Sequence, residues 1–189
     1  MSRELFPTCL YEADVADPLL LAELGRSIRA LARDDAAGVR WSKEHRYAGY
    51  TSYASLNDLP KRDPAIADLA KLLARHAASF ARELGWDRKP KLDSLWVNLL
   101  KGSGHHSGHI HPHSILSGTF YVEVPAGSGA IRFEDPRLPL MMAAPQRKGT
   151  FVTVEPRPGL LLMWESWLRH EVLAGRGKDE RLSISFNFA

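Results

Sequence analysis

The sequence predicts a mainly β protein with flanking helices, an α+β arrangement built on an antiparallel sandwich or barrel. Two observations indicate this fold class. Apolar residues recur at helical spacing in the first half of the chain, and from about residue 93 seven short apolar or alternating segments follow one another between turn residues. The 189 residues contain no internal repeat and no clear linker. We therefore expect a single domain, with a largely helical part over residues 1–92 packed on a β core over residues 93–189.

Two helices are predicted, and each begins at an Asp-Pro pair. Asp17 and Asp63 are residues of the N-capping type, and proline is favoured at the helical position that follows. Gly85 is a natural end for the second helix. Residues 40–59 lack a helical repeat and are predicted to be irregular. The aromatic residues of this segment are expected to pack the helices onto the barrel rather than to line a substrate cleft: Trp41, Tyr47, Tyr50 and Tyr53.

Seven strands are predicted in the second half of the chain. In the segment 117–124, Phe120 and Val122 lie on one face and Thr119 and Tyr121 on the other, which is the period of a strand. Turns rich in proline and glycine separate several of the segments. The predicted strands cover residues 94–100, 117–124, 129–134, 150–155, 159–165, 168–173 and 180–188.

Charge and cysteine content indicate which partners and which cellular location to expect. The net charge is +3, but the basic residues are dispersed, whereas nucleic-acid binding usually requires a concentrated basic stripe. Nucleic acid is therefore not an expected partner. Cys9 is the only cysteine and cannot form an internal disulfide. The N-terminus lacks the apolar core of a signal peptide, and no apolar run is long enough to span a membrane. We expect a cytoplasmic protein.

The histidines are the residues that most clearly indicate a chemical function. Five of the eight lie between positions 105 and 113. His109 and His111 are two residues apart, so on a strand their imidazoles would share one face, and His170 follows on another predicted strand. Three neutral imidazoles suit Fe, Zn, Cu or Ni. The other three histidines of the cluster lie in a glycine-flanked segment and are expected to be exposed and unliganded: His105, His106 and His113.

The last predicted strand carries a row of polar side chains on one face. Arg181, Ser183, Ser185 and Asn187 alternate with apolar residues. By pattern alone, this row either faces solvent or lines a cavity. In a cavity, the Arg181 guanidinium would need a partner and would pair two-pronged with a carboxylate, and the Ser183 hydroxyl would add one donor. A dicarboxylic ligand would supply that partner.

Seven segments together resemble the 2-oxoglutarate- and Fe(II)-dependent oxygenases, in particular a small bacterial group with a His-x-His-Pro motif. The resemblance covers roughly residues 40–189. It implies a double-stranded β-helix, which is a jelly-roll or cupin-like barrel with flanking helices. The segments that carry it are 94–98, 109–114, 117–122, 133–137, 158–162, 166–172 and 181–187.

The resemblance also implies a ligand set. His109 and His111 take the place of the family's His-x-Asp/Glu pair, and His170 that of its distal histidine. Glu123 and Asp135 are alternative carboxylates, but neither stands two residues from His109. No catalytic residue is expected beyond the metal site.

The implied cosubstrate is 2-oxoglutarate. Arg181 with Ser183 would bind its far carboxylate, and Tyr121 and Asn98 are further candidates for contacts with it or with its surroundings. The implied activity uses Fe(II) and O2 to oxidise a C–H bond of a small-molecule or peptide substrate.

Two other functions stay open at this point. Three histidines without a carboxylate also fit a cupin-like metalloenzyme, or a metal-binding module, that does not use 2-oxoglutarate. Oxidative demethylation of nucleic acid is permitted by the mildly basic charge but not supported by it.

Overall fold

The computed structural model describes residues 2–137, Met142 and residues 149–189. Its described strands form two sheets in which every pairing is antiparallel. In chain order they are β1 (Leu10–Asp14), β2 (Gly49–Thr51), β3 (Leu92–Leu100), β4 (His106–His109), β5 (Leu116–Glu123), β6 (Ile131–Glu134), β7 (Phe151–Val154), β8 (Leu160–Glu165), β9 (His170–Val172) and β10 (Arg181–Phe188).

The two sheets enclose one core and the helices cover another. The larger sheet has the order β1-β8-β5-β10-β3-β2 and the smaller one β4-β9-β6-β7. Between them lies an apolar cluster that includes Tyr121, Phe133 and Trp164. On the other face of the larger sheet, Phe120 and Ile184 pack with residues of the helices. This is the double-stranded β-helix, or jelly-roll, with flanking helices that the sequence led us to expect.

Both predicted helices are confirmed. The carboxylate of Asp17 accepts hydrogen bonds from the N–H groups of Leu19 and Leu20 (3.0 and 3.1 Å), and that of Asp63 accepts one from Ile66 (3.0 Å). These bonds satisfy N–H groups that the first helical turn leaves without partners. The described helices are α1 (Pro18–Asp34), α2 (Ala36–Glu44), α3 (Leu59–Arg62) and α4 (Pro64–Glu83). None of them is long and apolar enough to cross a membrane.

The prediction of irregular structure over residues 40–59 is wrong. Helix α2 extends into this segment, β2 lies within it, and α3 begins at its last residue. Asp35 organises the region, because its carboxylate accepts hydrogen bonds from the Gly38 N–H (3.0 Å) and the Tyr50 hydroxyl (2.9 Å). Strand β2 has three residues and forms by pairing with β3 at the sheet edge. Contacts between distant segments, which periodicity cannot reveal, determine the structure here.

All seven predicted strands are present, with ends shifted by a few residues. Three short strands were missed, namely β1, β2 and β4. Strand β4 ends at His109. His111 therefore lies beyond the strand, and the expectation that both histidines share one strand is wrong.

Candidate metal centre and cosubstrate pocket

Three imidazoles converge where β4 and β9 meet. His109 and His170 are directly opposite each other in the antiparallel pairing of these strands. The backbone N–H of His111 donates to the carbonyl of Ser166 (3.0 Å), which holds the residue beside them. One nitrogen from each ring lies within 4.8 Å of the other two. The structure thus brings together the three histidines that the sequence singled out, and they form a group able to hold one metal ion.

Backbone carbonyls fix the tautomers of two of the rings. Nδ1 of His109 is 2.7 Å from the carbonyl oxygen of Ser107, and Nδ1 of His170 is 2.9 Å from that of Leu168. A carbonyl oxygen only accepts hydrogen bonds, so each neutral ring carries its proton on Nδ1 and donates it there. The lone pair on Nε2 is then free, which is the usual preparation of a metal-binding histidine.

Burial keeps the rings of His170 and His111 neutral. His170 is only 4% exposed, and Trp164 packs edge-on against it with ring centroids 4.6 Å apart. Burial, helped by the neighbouring histidines, lowers the pKa of His170 to about 3, although the hydrogen bond to Leu168 acts in the opposite direction. Burial and the nearby His109 lower the pKa of His111 to about 4. Both rings are therefore neutral at pH 7, as metal ligation requires.

The donor set fits Fe(II). The Nε2 atoms of His111 and His170 lie 3.3 Å apart. Two nitrogens that are each about 2.1 Å from one ion lie no more than about 4.2 Å apart, so this spacing suits a shared ion. Imidazole nitrogens are ligands that iron accepts readily.

No carboxylate joins the three histidines within the described part of the chain. Glu123 binds Arg29 through two hydrogen bonds of 2.6 and 2.7 Å. Asp135 accepts a hydrogen bond of 2.9 Å from the Arg137 side chain. The two alternative carboxylates are thus engaged with arginines outside the cluster.

The polar row of β10 lines the interior and does not face solvent. Arg181 and Ser183 are both buried. Ser183 is in register with Asn98 on β3 and with Tyr121 on β5, so these three side chains form one row across the inner face of the larger sheet. The interpretation of this row as the solvent side of the strand is therefore wrong.

Arg181 has unsatisfied binding capacity. One terminal N–H donates to the carbonyl of Gly129 (2.7 Å), and the guanidinium lies 5.6 Å from the centre of the Tyr121 ring. Among the described residues, however, its buried Nε has no hydrogen-bond partner, and no carboxylate forms an ion pair with it. A buried guanidinium in this state is costly unless a ligand completes its bonding. A carboxylate would do so, and burial also raises the pKa of the adjacent Tyr121 to about 12, which keeps its hydroxyl protonated.

Tyr47 and His106 also belong to this pocket, and neither was predicted from the sequence. The Tyr47 hydroxyl lies 3.1 Å from Nε2 of His106 and 3.3 Å from the Asn98 side-chain oxygen. Asn98 also accepts from Thr51 (2.8 Å). The expectation that His106 is exposed is wrong, because this residue is half-buried beside Tyr47. Burial, followed by the Arg181 charge, lowers its pKa to about 4. No local pattern distinguishes His106 from His105, since its burial depends on Tyr47, which lies 59 residues earlier.

The aromatic residues of the 40–59 segment divide between two roles. Tyr50 is buried in the core under the helices, so its packing role is confirmed. The expected packing role does not apply to Tyr53, because this residue is 61% exposed. Tyr47 contacts the pocket directly.

Comparison with known proteins identifies the family of this chain. Residues 94–187 match a protein-family model described as "Putative 2OG-Fe(II) oxygenase". That segment contains the three histidines, Asn98, Tyr121 and Arg181. The chain belongs to the 2OG-Fe(II) oxygenases. This oxygenase family uses Fe(II) and 2-oxoglutarate as cofactors and is a family of oxidoreductases. The curated protein sequences contain no match to this oxygenase.

Solved structures share the fold of this oxygenase. The α-ketoglutarate-dependent epimerase SnoN from nogalamycin biosynthesis is 19% identical, with 96% of this chain and 78% of SnoN covered and a TM-score of 0.70. A prolyl-4-hydroxylase from Pseudomonas putida is 17% identical, with coverage of 96% and 92% and a TM-score of 0.66. HygX from Streptomyces hygroscopicus is 14% identical, with coverage of 96% and 82% and a TM-score of 0.64. These similarities establish the double-stranded β-helix.

Proposed function

We propose that this oxygenase is a hydroxylase in which His109, His111 and His170 hold Fe(II) and Arg181 anchors 2-oxoglutarate. One observation carries the proposal. Three imidazoles that can reach one metal ion lie in the same barrel as a buried guanidinium that has no carboxylate partner among the described residues. The first group can bind a metal cation and the second an anion, and a dicarboxylate that chelates the bound metal would engage both.

Similar proteins support this pairing of ligands. SnoN has been crystallised with Fe3+, α-ketoglutarate and nogalamycin RO, and HygX with nickel and 2-oxoglutarate. We extend the same two ligands to this chain. Ser183, Tyr121 and Asn98, which share a row of the inner face, are proposed to line the cosubstrate pocket, with O2 as the other cosubstrate.

When bound, Fe(II) with 2-oxoglutarate and O2 supplies oxidation of a C–H bond, coupled to formation of succinate and CO2. The residues of the chain prepare this chemistry. The carbonyls of Ser107 and Leu168 hold His109 and His170 in the tautomer that leaves Nε2 free. Arg181 fixes the orientation of the cosubstrate through its far carboxylate. Phe133 and Trp164 exclude water around His170, because both rings pack against it.

The use of His111 in place of a carboxylate changes the charge of the site. A carboxylate would contribute one negative charge, whereas the neutral imidazole contributes none. We therefore expect weaker retention of Fe(II) than at a site with two histidines and one carboxylate.

Succinate formation from 2-oxoglutarate tests the proposal. The wild-type protein should form succinate only in the presence of Fe(II), even without a primary substrate, and His170→Ala should abolish this turnover. His105→Ala, which removes an exposed histidine of the same segment, is the matched control and should behave as wild type. Turnover that is independent of Fe(II) and survives His170→Ala would contradict the proposal.

A second candidate function is favoured by the all-histidine donor set. In this case the protein is a cupin-like metalloenzyme or a metal-binding module, and Arg181 binds a carboxylate of another ligand. Added 2-oxoglutarate would then leave the thermal stability of the metal-loaded protein unchanged. A metal-dependent rise in Tm with 2-oxoglutarate favours the hydroxylase.

We also propose that residues 1–189 act as one domain, since Tyr47 of the largely helical part over 1–92 contacts Asn98 of the barrel over 93–189. The cytoplasm is the proposed location, in keeping with the single free cysteine. The proposed substrate is a small molecule or peptide, and nucleic acid is not proposed as a partner.

A further inference from the structure

A continuous aromatic surface leads from the metal-binding histidines to solvent. It consists of Trp96, Tyr53 and Trp41. The ring centroid of Trp96 is 6.2 Å from that of His111, Tyr53 is 5.2 Å from Trp96, and Trp41 is 6.1 Å from Tyr53. Each ring is thus in contact range of the next, and the series begins at a proposed iron ligand.

The backbone holds this aromatic surface in a fixed form. Ser52 lies directly beside Val97 of β3, because the Ser52 N–H donates to the Val97 carbonyl and the Val97 N–H donates to the Ser52 hydroxyl, both at 3.1 Å. This pairing places Tyr53 against Trp96, the neighbours of that pair. Trp41 belongs to α2 and stacks on the ring of His45, the residue that follows the helix, with the two ring centroids 4.1 Å apart. The surface is therefore preformed rather than assembled when a ligand arrives.

The aromatic surface is open at its outer end. Tyr53 is 61% exposed, whereas Trp96 and Trp41 are half-buried. A single exposed aromatic residue is common on protein surfaces. Here, however, the exposed ring is continuous with a candidate active site, and small-molecule sites are characteristically lined by aromatic side chains.

The aromatic surface and the cosubstrate pocket lie at different levels of the same sheet. Trp96 is paired with Ser185 of β10, whereas Arg181 is paired with Leu100. Four residues of strand separate the two levels, which corresponds to about 13 Å. A ligand on the aromatic surface would therefore reach His111 without displacing a carboxylate at Arg181.

The chemistry of the aromatic surface selects one class of ligand. Trp41, Tyr53 and Trp96 have aromatic side chains, and their flat faces bind the faces of other rings. We propose that these three residues form the subsite for the primary substrate, and that this substrate is a small molecule of linked rings with an uncharged ring face. The inference rests on the proposed function, because the reacting carbon must lie at the metal while a more distant ring stacks on Tyr53. The stacking ring is either aromatic or a sugar.

The test uses the full-length protein labelled with 5-fluorotryptophan and loaded with Ni(II) and 2-oxoglutarate. Indole and methyl β-glucoside serve as ring probes, and 1-hexanol and sorbitol as acyclic probes. Fluorine NMR reports each tryptophan separately, with Trp96 and Trp41 assigned from Trp→Phe variants and Trp86 as the internal reference. Binding of 2-oxoglutarate to the Ni(II)-loaded protein is measured first by calorimetry, so that failure of the proposed function is recognised separately.

We expect one ring probe to shift the Trp96 and Trp41 signals and to leave Trp86 unchanged. A response to indole alone identifies an aromatic ring, and a response to the glucoside alone identifies a sugar. Tyr53→Ala should weaken this binding by about five- to tenfold, the loss expected for one aromatic contact, and Tyr53→Phe should restore it. Phe6→Ala, which removes another exposed aromatic side chain, is the matched control. Equal shifts with acyclic probes, no shift with either ring probe, or unchanged binding in Tyr53→Ala would overturn the inference.

Discussion

His109 and His170 are directly opposite each other in the pairing of β4 with β9, and their ring centroids lie 4.4 Å apart. The hydrogen bonds that close the smaller sheet therefore also assemble two members of the candidate metal site. Since both rings donate through Nδ1 to carbonyls of their own chain segments, their orientation is fixed before any metal arrives. The fold and the site are products of the same strand pairing.

Removal of one imidazole should eliminate tight metal binding. His170→Ala deletes a proposed ligand, and we expect the affinity for Fe(II) or Ni(II) to fall by more than the roughly 10–100-fold typical of losing a partner that only orients a ligand. Anaerobic calorimetric titration measures the change, with His105→Ala as the control. Metal affinity that remains within about twofold of wild type in His170→Ala would exclude this ligand set.

Acidification should destabilise the metal-free protein. The histidine pKa is about 6.5 in an unfolded chain, but it is lowered to about 4 for His111 and to about 3 for His170 in the folded state. Below pH 6.5 the unfolded chain binds protons that the folded state excludes. The stabilisation is therefore complete above pH 6.5 and is lost as the pH falls from 6.5 through 4 towards 3.

Each pKa unit corresponds to about 1.4 kcal/mol, so the free energy of unfolding should fall by several kcal/mol over this range. Urea denaturation in the presence of a chelator measures it at each pH. In His170→Gln one titrating group is absent, so the dependence on pH should be shallower. If the free energy of unfolding depended on pH equally in wild type and variant, His170 would not be the source of the pH dependence.

The sequence predicted the elements that carry their own local pattern. The C-terminal strand alternates over its whole length, and the Asp-Pro starts of α1 and α4 are local capping signals, so all three were located correctly. The same pattern could not decide whether the polar row with Arg181 faces solvent or the interior. That depends on the second sheet, which covers this face.

Elements that depend on distant partners were missed. Strands β1, β2 and β4 are short and form by pairing with strands far along the chain. The burial of His106 was missed for the same reason, because its partner Tyr47 is on another segment. His109, His111 and His170 were found because residue type and spacing suggested them, although His111 reaches the cluster from a loop rather than from the strand.

Substitution of Arg181 should show whether 2-oxoglutarate binding depends on the planar guanidinium or only on its positive charge. Arg181→Lys keeps the positive charge but loses the planar fork that pairs with a carboxylate at two points. We expect the KM for 2-oxoglutarate to rise by about 10-fold or more, the loss of roughly one charge-assisted hydrogen bond, with a smaller change in kcat. Arg157→Lys, at an exposed arginine, provides the control. An unchanged KM in Arg181→Lys would remove Arg181 from the cosubstrate pocket.

Loss of the Tyr47 hydroxyl should affect the pocket and stability together. Tyr47→Phe leaves Nε2 of His106 without its 3.1 Å partner. The free energy of unfolding should fall by about 1–3 kcal/mol, the cost of an unsatisfied buried polar group. Denaturation of Tyr47→Phe beside Tyr53→Phe, which removes an exposed hydroxyl, measures the difference. Equal stability of the two variants would show that the contact with His106 contributes nothing.

The most direct test of the site is the coupling between metal and 2-oxoglutarate. Anaerobic calorimetry of 2-oxoglutarate binding, with and without Fe(II), measures whether the two ligands share one site. We predict that Fe(II) tightens 2-oxoglutarate binding at least about tenfold, corresponding to a coupling free energy of about 1.4 kcal/mol or more, and that 2-oxoglutarate tightens Fe(II) binding equally. His170→Ala should abolish the coupling. Binding of 2-oxoglutarate with the same affinity in the presence and absence of Fe(II) would contradict the account.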